Sequence, residues 1–296
     1  MSENNISWGI NIPWWNEGYC HDLGKNYIYP HWPVSFDEQL VSTTFTFLNS
    51  IDVDLFRFWL FEGGEGIVFN EEGKITGLDA TFKKNLIRMV ELVREHKLNV
   101  YWTLLDANSV FRNNDFITDS IIGNGGNTLL FGELILPEVL DIIKDTTWAI
   151  DVCNEPEAAI AGEHGNYSDK GYSWDRISGN LNKIIASIRK LQPEIKLSIG
   201  SGFQEERNLE LGYYSPESFN LDFVDYHTHR TDGFVPQAEP LRNKCGNKPV
   251  VIGELSATEK LDSNLTKEQW TANQLLMNER LHNLLDEEYL AVFLWR

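Results

Sequence analysis

Two glutamates in this sequence each follow a short apolar run, a position suited to acid–base and nucleophilic chemistry. The run AIDVC is followed by Asn154 and Glu155, and the run VVIG is followed by Glu254. Two carboxyl groups that face one another could carry out retaining glycoside hydrolysis, in which one donates a proton and the other attacks the anomeric carbon. Each short motif alone is a weak signal, so the prediction depends on both occurring at the ends of apolar runs.

Eight apolar runs alternate with longer amphipathic segments, which is the pattern of a parallel α/β protein. Their nearly continuous apolar character is typical of strands buried on both faces. A doubly wound sheet would show a glycine-rich phosphate turn after its first strand, and none occurs here. We therefore predict the α/β class and a (β/α)8 TIM barrel, with residues 1–296 as one catalytic domain. The predicted strands are 7–13, 53–60, 99–105, 148–153, 196–199, 223–227, 250–253 and 290–295.

Helices are predicted where apolar residues recur at helical spacing, over 35–49, 79–97, 172–191 and 266–286. Two capping boxes, Ser35 with Glu38 and Thr266 with Gln269, are expected to open the first and the last of them. The chain stops directly after the eighth predicted strand, so no eighth helix is expected within it.

Composition excludes several classes of function. The formal net charge is −19 and no cluster of lysine and arginine occurs, so we expect no nucleic acid as a partner. The three cysteines have no metal-ligand or disulfide spacing, and neither a metal nor an organic cofactor is implied. No apolar run approaches the ~20 residues of a membrane span. Because no signal peptide is recognised, a cytoplasmic location is expected, or a secreted one if a leader has been removed.

Together these motifs resemble clan A of the glycoside hydrolases, the β/α-barrel enzymes that include the family five cellulases and mannanases. The resemblance covers nearly the whole chain but rests on short motifs. It implies that Glu155 is the acid/base, that Glu254 is the nucleophile, and that Asn154 hydrogen-bonds the sugar 2-hydroxyl. A carbohydrate substrate and a monomer are expected.

Other positions match or depart from the same pattern. By resemblance Arg57 lies beneath the nucleophile, where a buried guanidinium would hold it ionised. Trp295, at the end of the eighth strand, is expected to form the floor of the sugar site. The sixth strand has His227 and then His229, where the clan often has a tyrosine that bonds the nucleophile. Either a histidine provides that bond or Tyr226 does so from a shifted register.

The third strand lacks the histidine that many family five enzymes carry at its end. Asp106 and Asn108 are candidates to take over that contact with the sugar. Indole rings pack against the C–H faces of sugars, and some of the ten tryptophans must nevertheless be core. The further candidates for sugar contacts are Trp14, Trp15, Trp59 and Trp102.

The hypothesis from the sequence is a retaining β-glycoside hydrolase that acts on a mannan-like or glucan-like substrate. A transglycosylase would use the same residues, so the sequence does not separate the two. A barrel that binds glycan without cleaving it is a third interpretation. A proton-abstracting barrel enzyme would be expected to carry a phosphate loop or metal ligands, and we find neither. The segment 112–130 is interpreted as a lid or a subsite wall.

Overall fold

Eight parallel strands close into a barrel, which confirms the α/β class and the TIM-barrel fold. The computed structural model describes residues 6–15, 20–26, 31–107, 118–160, 172–202, 212–229, 235–256, 266–285 and 287–295. Each barrel strand overlaps one of the predicted apolar runs and pairs with its neighbours in chain order, the last with the first. The strands are β1 Ser7–Asn11, β2 Leu55–Trp59, β3 Asn99–Asp106, β4 Thr147–Asn154, β5 Leu197–Ser201, β6 Val224–Thr228, β7 Val250–Leu255 and β8 Ala291–Leu294.

The barrel interior has an apolar lower layer and a polar upper layer. Because successive side chains of a strand point to opposite faces, every second residue of each strand faces inward. The apolar layer is a cluster of Leu55, Tyr101, Ala149, Phe223, Val251, Ala291 and Phe293. Above it, the register pairs Arg57 on β2 with Asn11 on β1. This layering brings the polar side chains to the carboxyl ends of the strands, the end at which barrels of this type form their active sites.

Helices surround the barrel and cover its outer face. They are α1 Glu38–Ser50, α2 Ala80–Glu95, α3 Gly125–Leu130, α4 Leu136–Ile143, α5 Trp174–Leu191, α6 Ala238–Lys244 and α7 Lys267–Leu284. Thr266 and Gln269 form the predicted capping box of α7. The predicted capping box at Ser35 is wrong, because α1 is capped by Asp37, whose carboxylate accepts from the backbone N–H groups of Gln39 and Leu40.

The segment between β3 and β4 is more helical than the sequence suggested. Its described part runs from residue 118 through α3, a π-helical turn (Phe131–Ile135) and α4. Ile121, Ile122 and Phe131 are buried in the main hydrophobic core, so this part of the predicted lid or wall packs against the barrel instead. Residues 112–117 lie outside the described residues. No helix was predicted from the sequence where α4 lies.

Two further features complete the description. A short antiparallel hairpin, Ile67–Phe69 with Ile75–Leu78, lies between β2 and α2. Among the described helices, none combines the length and the apolar character that a bilayer-spanning helix needs.

Candidate active site

Glu155 and Glu254 meet at the carboxyl end of the barrel. Glu155 directly follows β4 and Glu254 lies at the end of β7, and both side chains are almost completely buried. One carboxylate oxygen of each lies within 4.8 Å of one of the other. Retaining glycosidases hold their two carboxyl groups ~5–5.5 Å apart, whereas inverting enzymes need ~6.5–9.5 Å to admit a water molecule. The separation is therefore suited to direct attack by one carboxylate.

Glu254 is surrounded by positive charge and hydrogen-bond donors. Its Oε1 accepts from Nη1 of Arg57 at 2.6 Å, and its Oε2 is 2.9 Å from Nε2 of His229. Burial alone would raise the pKa of Glu254, but the charges of His227 and Arg57 and the bond to His229 outweigh it and lower the pKa to about 2. Glu254 is therefore an anion at neutral pH, as a nucleophile must be.

Arg57 anchors the polar layer beneath the two glutamates. Its side chain is fully buried, and its two terminal nitrogens donate to acceptors from three other strands. The contacts are Glu254 at 2.6 Å, Asp151 at 2.7 Å, Asn154 at 2.8 Å and Asn11 at 3.2 Å. A planar guanidinium fits this arrangement because its donors spread in a fixed fork.

Glu155 contacts His227 and has an unusual backbone conformation. Its φ of 47° and ψ of 54° lie in the left-handed region, which turns the chain sharply into the helical turn Pro156–Ala159. Nδ1 of His227 is 2.9 Å from Oε1 of Glu155 and 3.6 Å from Oε1 of Glu254. His227 therefore lies between the two glutamates.

His227, Glu155 and Glu254 are also spaced closely enough to surround a cation. Burial lowers the pKa of His227, but Glu254, Asp225 and Glu155 raise it well above its ordinary value. A metal ligand must be a neutral imidazole, whereas the carboxylates around this ring favour its protonated form. The cluster is better suited to hydrogen bonding than to metal binding.

Asn154 is held in one orientation by its two neighbours. Its Nδ2 donates to Asp106 on β3 at 2.9 Å, while its Oδ1 accepts from Arg57. Asp106 is thus joined to the site through Asn154. Asn108, the other candidate on this strand end, lies outside the described residues.

Three tryptophans form a cluster at the barrel mouth. Trp295 follows β8 and its ring centroid lies 6.0 Å from Trp59, 6.4 Å from Trp14 and 5.8 Å from His229. Trp14 and Trp295 are half-buried, and Nε1 of Trp14 donates to the buried carboxylate of Glu62. Aromatic faces beside the nucleophile are a suitable surface for a sugar ring.

Three other residues, which were expected to contact the sugar or Glu254, do not reach the barrel mouth. The expectation is wrong for each of them. Trp15 packs on Phe45 and Phe58 beneath α1. Trp102 alternates with the inward-facing Tyr101 on β3, so it faces the core between barrel and helices and is fully buried. Tyr226 lies between Asp225 and His227 on β6 and likewise faces the outer core. Of the three residues that were candidates for a bond to Glu254 from β6 and its end, His229 lies within hydrogen-bond distance, at 2.9 Å.

Sequence reasoning missed several polar residues of the inner layer. Asp151 accepts from Arg57 and from Thr103, and Asp225 accepts from the hydroxyl of Tyr101 at 2.6 Å. Both aspartates stand inside otherwise apolar strand runs. A carboxylate at such a position requires a buried partner, which is a signal that the sequence did carry.

Glu157 is a second buried carboxyl close to Glu155. Its Oε2 accepts from the hydroxyl of Tyr214 at 2.5 Å. Burial and the charge of Glu155 raise the pKa of Glu157 to about 8. The turn after β4 therefore carries two carboxyl groups in different environments.

Comparison with known proteins finds mannanases. No family model matches the chain. A mannan endo-1,4-beta-mannosidase of Mytilus edulis is 21% identical over 285 residues, which cover 84% of this chain and 75% of that protein. The solved β-1,4-mannanase of Aplysia kurodai superposes with a TM-score of 0.72 at 19% identity, over 98% of this chain and 87% of that one. For the endo-1,4-beta-mannanase of Eisenia fetida the TM-score is 0.71 at 18% identity, over 98% and 84%.

Proposed function

We propose that this chain is a retaining β-glycoside hydrolase whose substrate is a β-1,4-linked mannan, with residues 1–296 forming its catalytic barrel. The observation that carries the reaction type is the pair Glu155 and Glu254, whose oxygens approach within 4.8 Å at the mouth of a TIM barrel. The proposal for the sugar rests on the mannanases to which the chain is similar in sequence and fold.

The proposed reaction has two steps. In the first, an ionised oxygen of Glu254 attacks the anomeric carbon, the bond to the leaving oxygen breaks, and Glu155 gives that oxygen its proton. A glycosyl ester on Glu254 and a carboxylate on Glu155 result. In the second step Glu155 takes a proton from water, whose oxygen attacks the anomeric carbon and releases Glu254. Two inversions leave the β configuration retained.

The surroundings of each group support these roles. Arg57 and His229 hold Glu254 as an anion and fix both of its oxygens. Asn154, oriented by Arg57 and Asp106, is placed beside Glu155 for the predicted contact with the 2-hydroxyl. Trp14, Trp59 and Trp295 offer apolar surface for the sugar ring.

The test is hydrolysis of β-mannan, β-glucan and their oligosaccharides, with the anomer of the first product read by proton NMR. We expect cleavage of mannan with the β anomer formed first, and loss of cleavage in Glu155→Gln and Glu254→Gln. Glu239→Gln, an exposed glutamate on α6, is the control and should retain full activity. An α anomer as first product would overturn the retaining mechanism, and cleavage of glucan alone would overturn the choice of sugar. Binding of mannan without turnover would favour a non-catalytic barrel.

A further inference from the structure

A third carboxylate faces His227 from below. Asp225 precedes His227 by two residues on β6, so both side chains point into the barrel. Oδ1 of Asp225 lies 3.7 Å from Nε2 of His227, and both side chains are fully buried. The imidazole therefore has Asp225 at one nitrogen and, at the other, Glu155 at 2.9 Å and Glu254 at 3.6 Å.

The two atoms that face each other in this pair are Oδ1 of Asp225 and Nε2 of His227. Oδ2 of Asp225 accepts from the hydroxyl of Tyr101, but Oδ1 of Asp225 and Nε2 of His227 have no hydrogen-bond partner within the described residues. A buried carboxylate oxygen without a bond is costly unless a positive charge lies close to it. A protonated His227 is the group that lies opposite this oxygen.

Two backbone positions next to Asp225 and His227 have room only for glycine. A Cβ atom at Gly253, the residue before the nucleophile, would lie 2.0 Å from Oδ1 of Asp225. At Gly200 on β5, a Cβ atom would lie 2.8 Å from the ring of His227. The aspartate and the imidazole are thus held between two strands that carry no side chain at these points, and their mutual orientation is fixed by packing.

We propose that Asp225 is a positioning residue that keeps His227 charged, so that its Nδ1–H stabilises whichever of Glu155 and Glu254 bears the negative charge. The inference rests on the proposed retaining mechanism and extends it. Before the first step the charge is on Glu254 and the proton is on Glu155. After the first step Glu254 is a neutral ester and Glu155 is the carboxylate. The second step reverses this, and His227 keeps its proton throughout.

A fixed cation between the two carboxyl groups would serve both steps without reorganisation. The negative charge moves between two oxygens that lie 2.9 Å and 3.6 Å from the same nitrogen. Donors already in place where charge develops are worth more than donors that must first reorient. Arg57, by contrast, donates directly to Glu254 at 2.6 Å, so its stabilisation favours the state in which Glu254 is ionised.

The pH dependence follows from the groups that surround the imidazole. Burial lowers the pKa of His227, but the neighbouring carboxylates outweigh it and raise the pKa well above its ordinary value. Without the charge of Asp225, the pKa of His227 falls and the ring loses its proton at a lower pH. The charged and titratable groups around the pair are Arg57, Tyr101, Asp151, Glu155, Glu157 and Glu254.

The experiment is the pH profile of kcat/KM of Asp225→Asn on mannan oligosaccharides. We expect the alkaline limb to move to lower pH by about one unit or more, the size of shift produced by one adjacent charge. Activity at the acidic end, where His227 is still protonated in the variant, should be close to that of the wild type. The matched control is Tyr101→Phe, which removes the hydrogen bond to the same carboxylate and leaves its charge. An equal shift in the control would overturn the assignment.

A direct measurement keeps the proposal testable if Asp225→Asn does not fold. Nitrogen-15 NMR of histidine-labelled wild-type protein should show His227 with both nitrogens protonated at neutral pH, identified by its loss in His227→Gln. A neutral ring in the wild type would overturn the proposal. If the wild type cleaves mannan but Asp225→Asn moves neither the limb nor the resonance, the inference fails alone. No cleavage by the wild type means that the proposed function fails.

Discussion

The two glutamates proposed as catalytic are equally buried, but their surroundings differ. Glu254 is bound by Arg57 and His229, and both of its oxygens are fixed by donors. Glu155 meets His227, lies in a left-handed turn and is followed by Glu157, a carboxyl that is itself buried. One glutamate is bound through both oxygens, by an arginine and a histidine, and the other has a histidine on one side and a carboxyl on the other.

The difference corresponds to what each role demands. A nucleophile must be an anion before every turnover, and permanent positive charge such as that of Arg57 secures this. An acid/base must lose and regain a proton within each turnover, so a permanent cation that contacts it alone would hold it in one state, whereas His227 also faces Glu254. The asymmetry therefore supports the proposed roles, and each glutamate can be tested separately.

The largest expected effect is the loss of activity when a glutamate is removed. The anomer of the product formed with azide distinguishes Glu254 from Glu155. Glu254→Ala should lose activity by about 10⁵-fold or more, the scale of losing a covalent nucleophile. With azide and dinitrophenyl β-mannobioside it should yield the α-glycosyl azide, since azide attacks the sugar directly. Glu155→Ala should form the ester with this reactive substrate and yield the β-azide. Carbon-13 NMR of the products distinguishes the two, and exchanged products would reverse the assignment.

The second largest effect is expected when the positive charge of Arg57 beneath Glu254 is removed. Arg57→Met leaves Asp151 and Glu254 without their buried cation, and breaking such a pair costs about 3–5 kcal/mol in free energy of unfolding. Urea unfolding at neutral pH measures this. The loss of positive charge should also raise the pKa of Glu254 from about 2, so the acidic limb of kcat/KM moves to higher pH.

The control for this variant is a partly exposed arginine that makes more ion pairs. Arg88 contacts Glu38, Glu91 and Glu95 on the surface of α1 and α2. Arg88→Met should change stability far less, because exposed ion pairs are screened by solvent. Similar losses in the two variants would contradict the view that burial, and not the number of ion pairs, decides the effect.

The smallest expected effect is on thermal stability and comes from Glu157, the buried carboxyl close to Glu155. The pKa of Glu157 is about 8 in the folded protein against an ordinary 4.5, so the folded state binds this proton more tightly than the unfolded state. Stability from this group is full below the unfolded pKa and is lost as pH rises through the folded pKa. Glu157→Gln should therefore reduce the fall in Tm between about pH 5 and about pH 8. Calorimetry across this range measures it, and an unchanged slope would show that Glu157 is already ionised.

Much of the fold could be predicted because it depends on local patterns. Apolar runs marked all eight strands, since strands buried on both faces must be apolar throughout. The capping box at Thr266 was correct, whereas that at Ser35 was not, because Asp37 competes for the same helix start two residues later. α4 was not predicted, although Pro137 in its first turn and the helical spacing of Leu136, Val139, Leu140 and Ile143 are signals that the sequence carries.

By itself the sequence determined which residues stand at strand ends, and hence the two glutamates, because the strand period and the end of an apolar run are local properties. The tertiary structure alone decided which side chains meet. It placed His229 on Glu254 and turned Tyr226, Trp15 and Trp102 away into the core. It also joined Arg57, Asp151 and Asp225 into one polar layer. The reason is that closing a barrel brings together residues far apart in the chain, and barrel closure, which no local pattern encodes, fixes the face and layer that each side chain occupies.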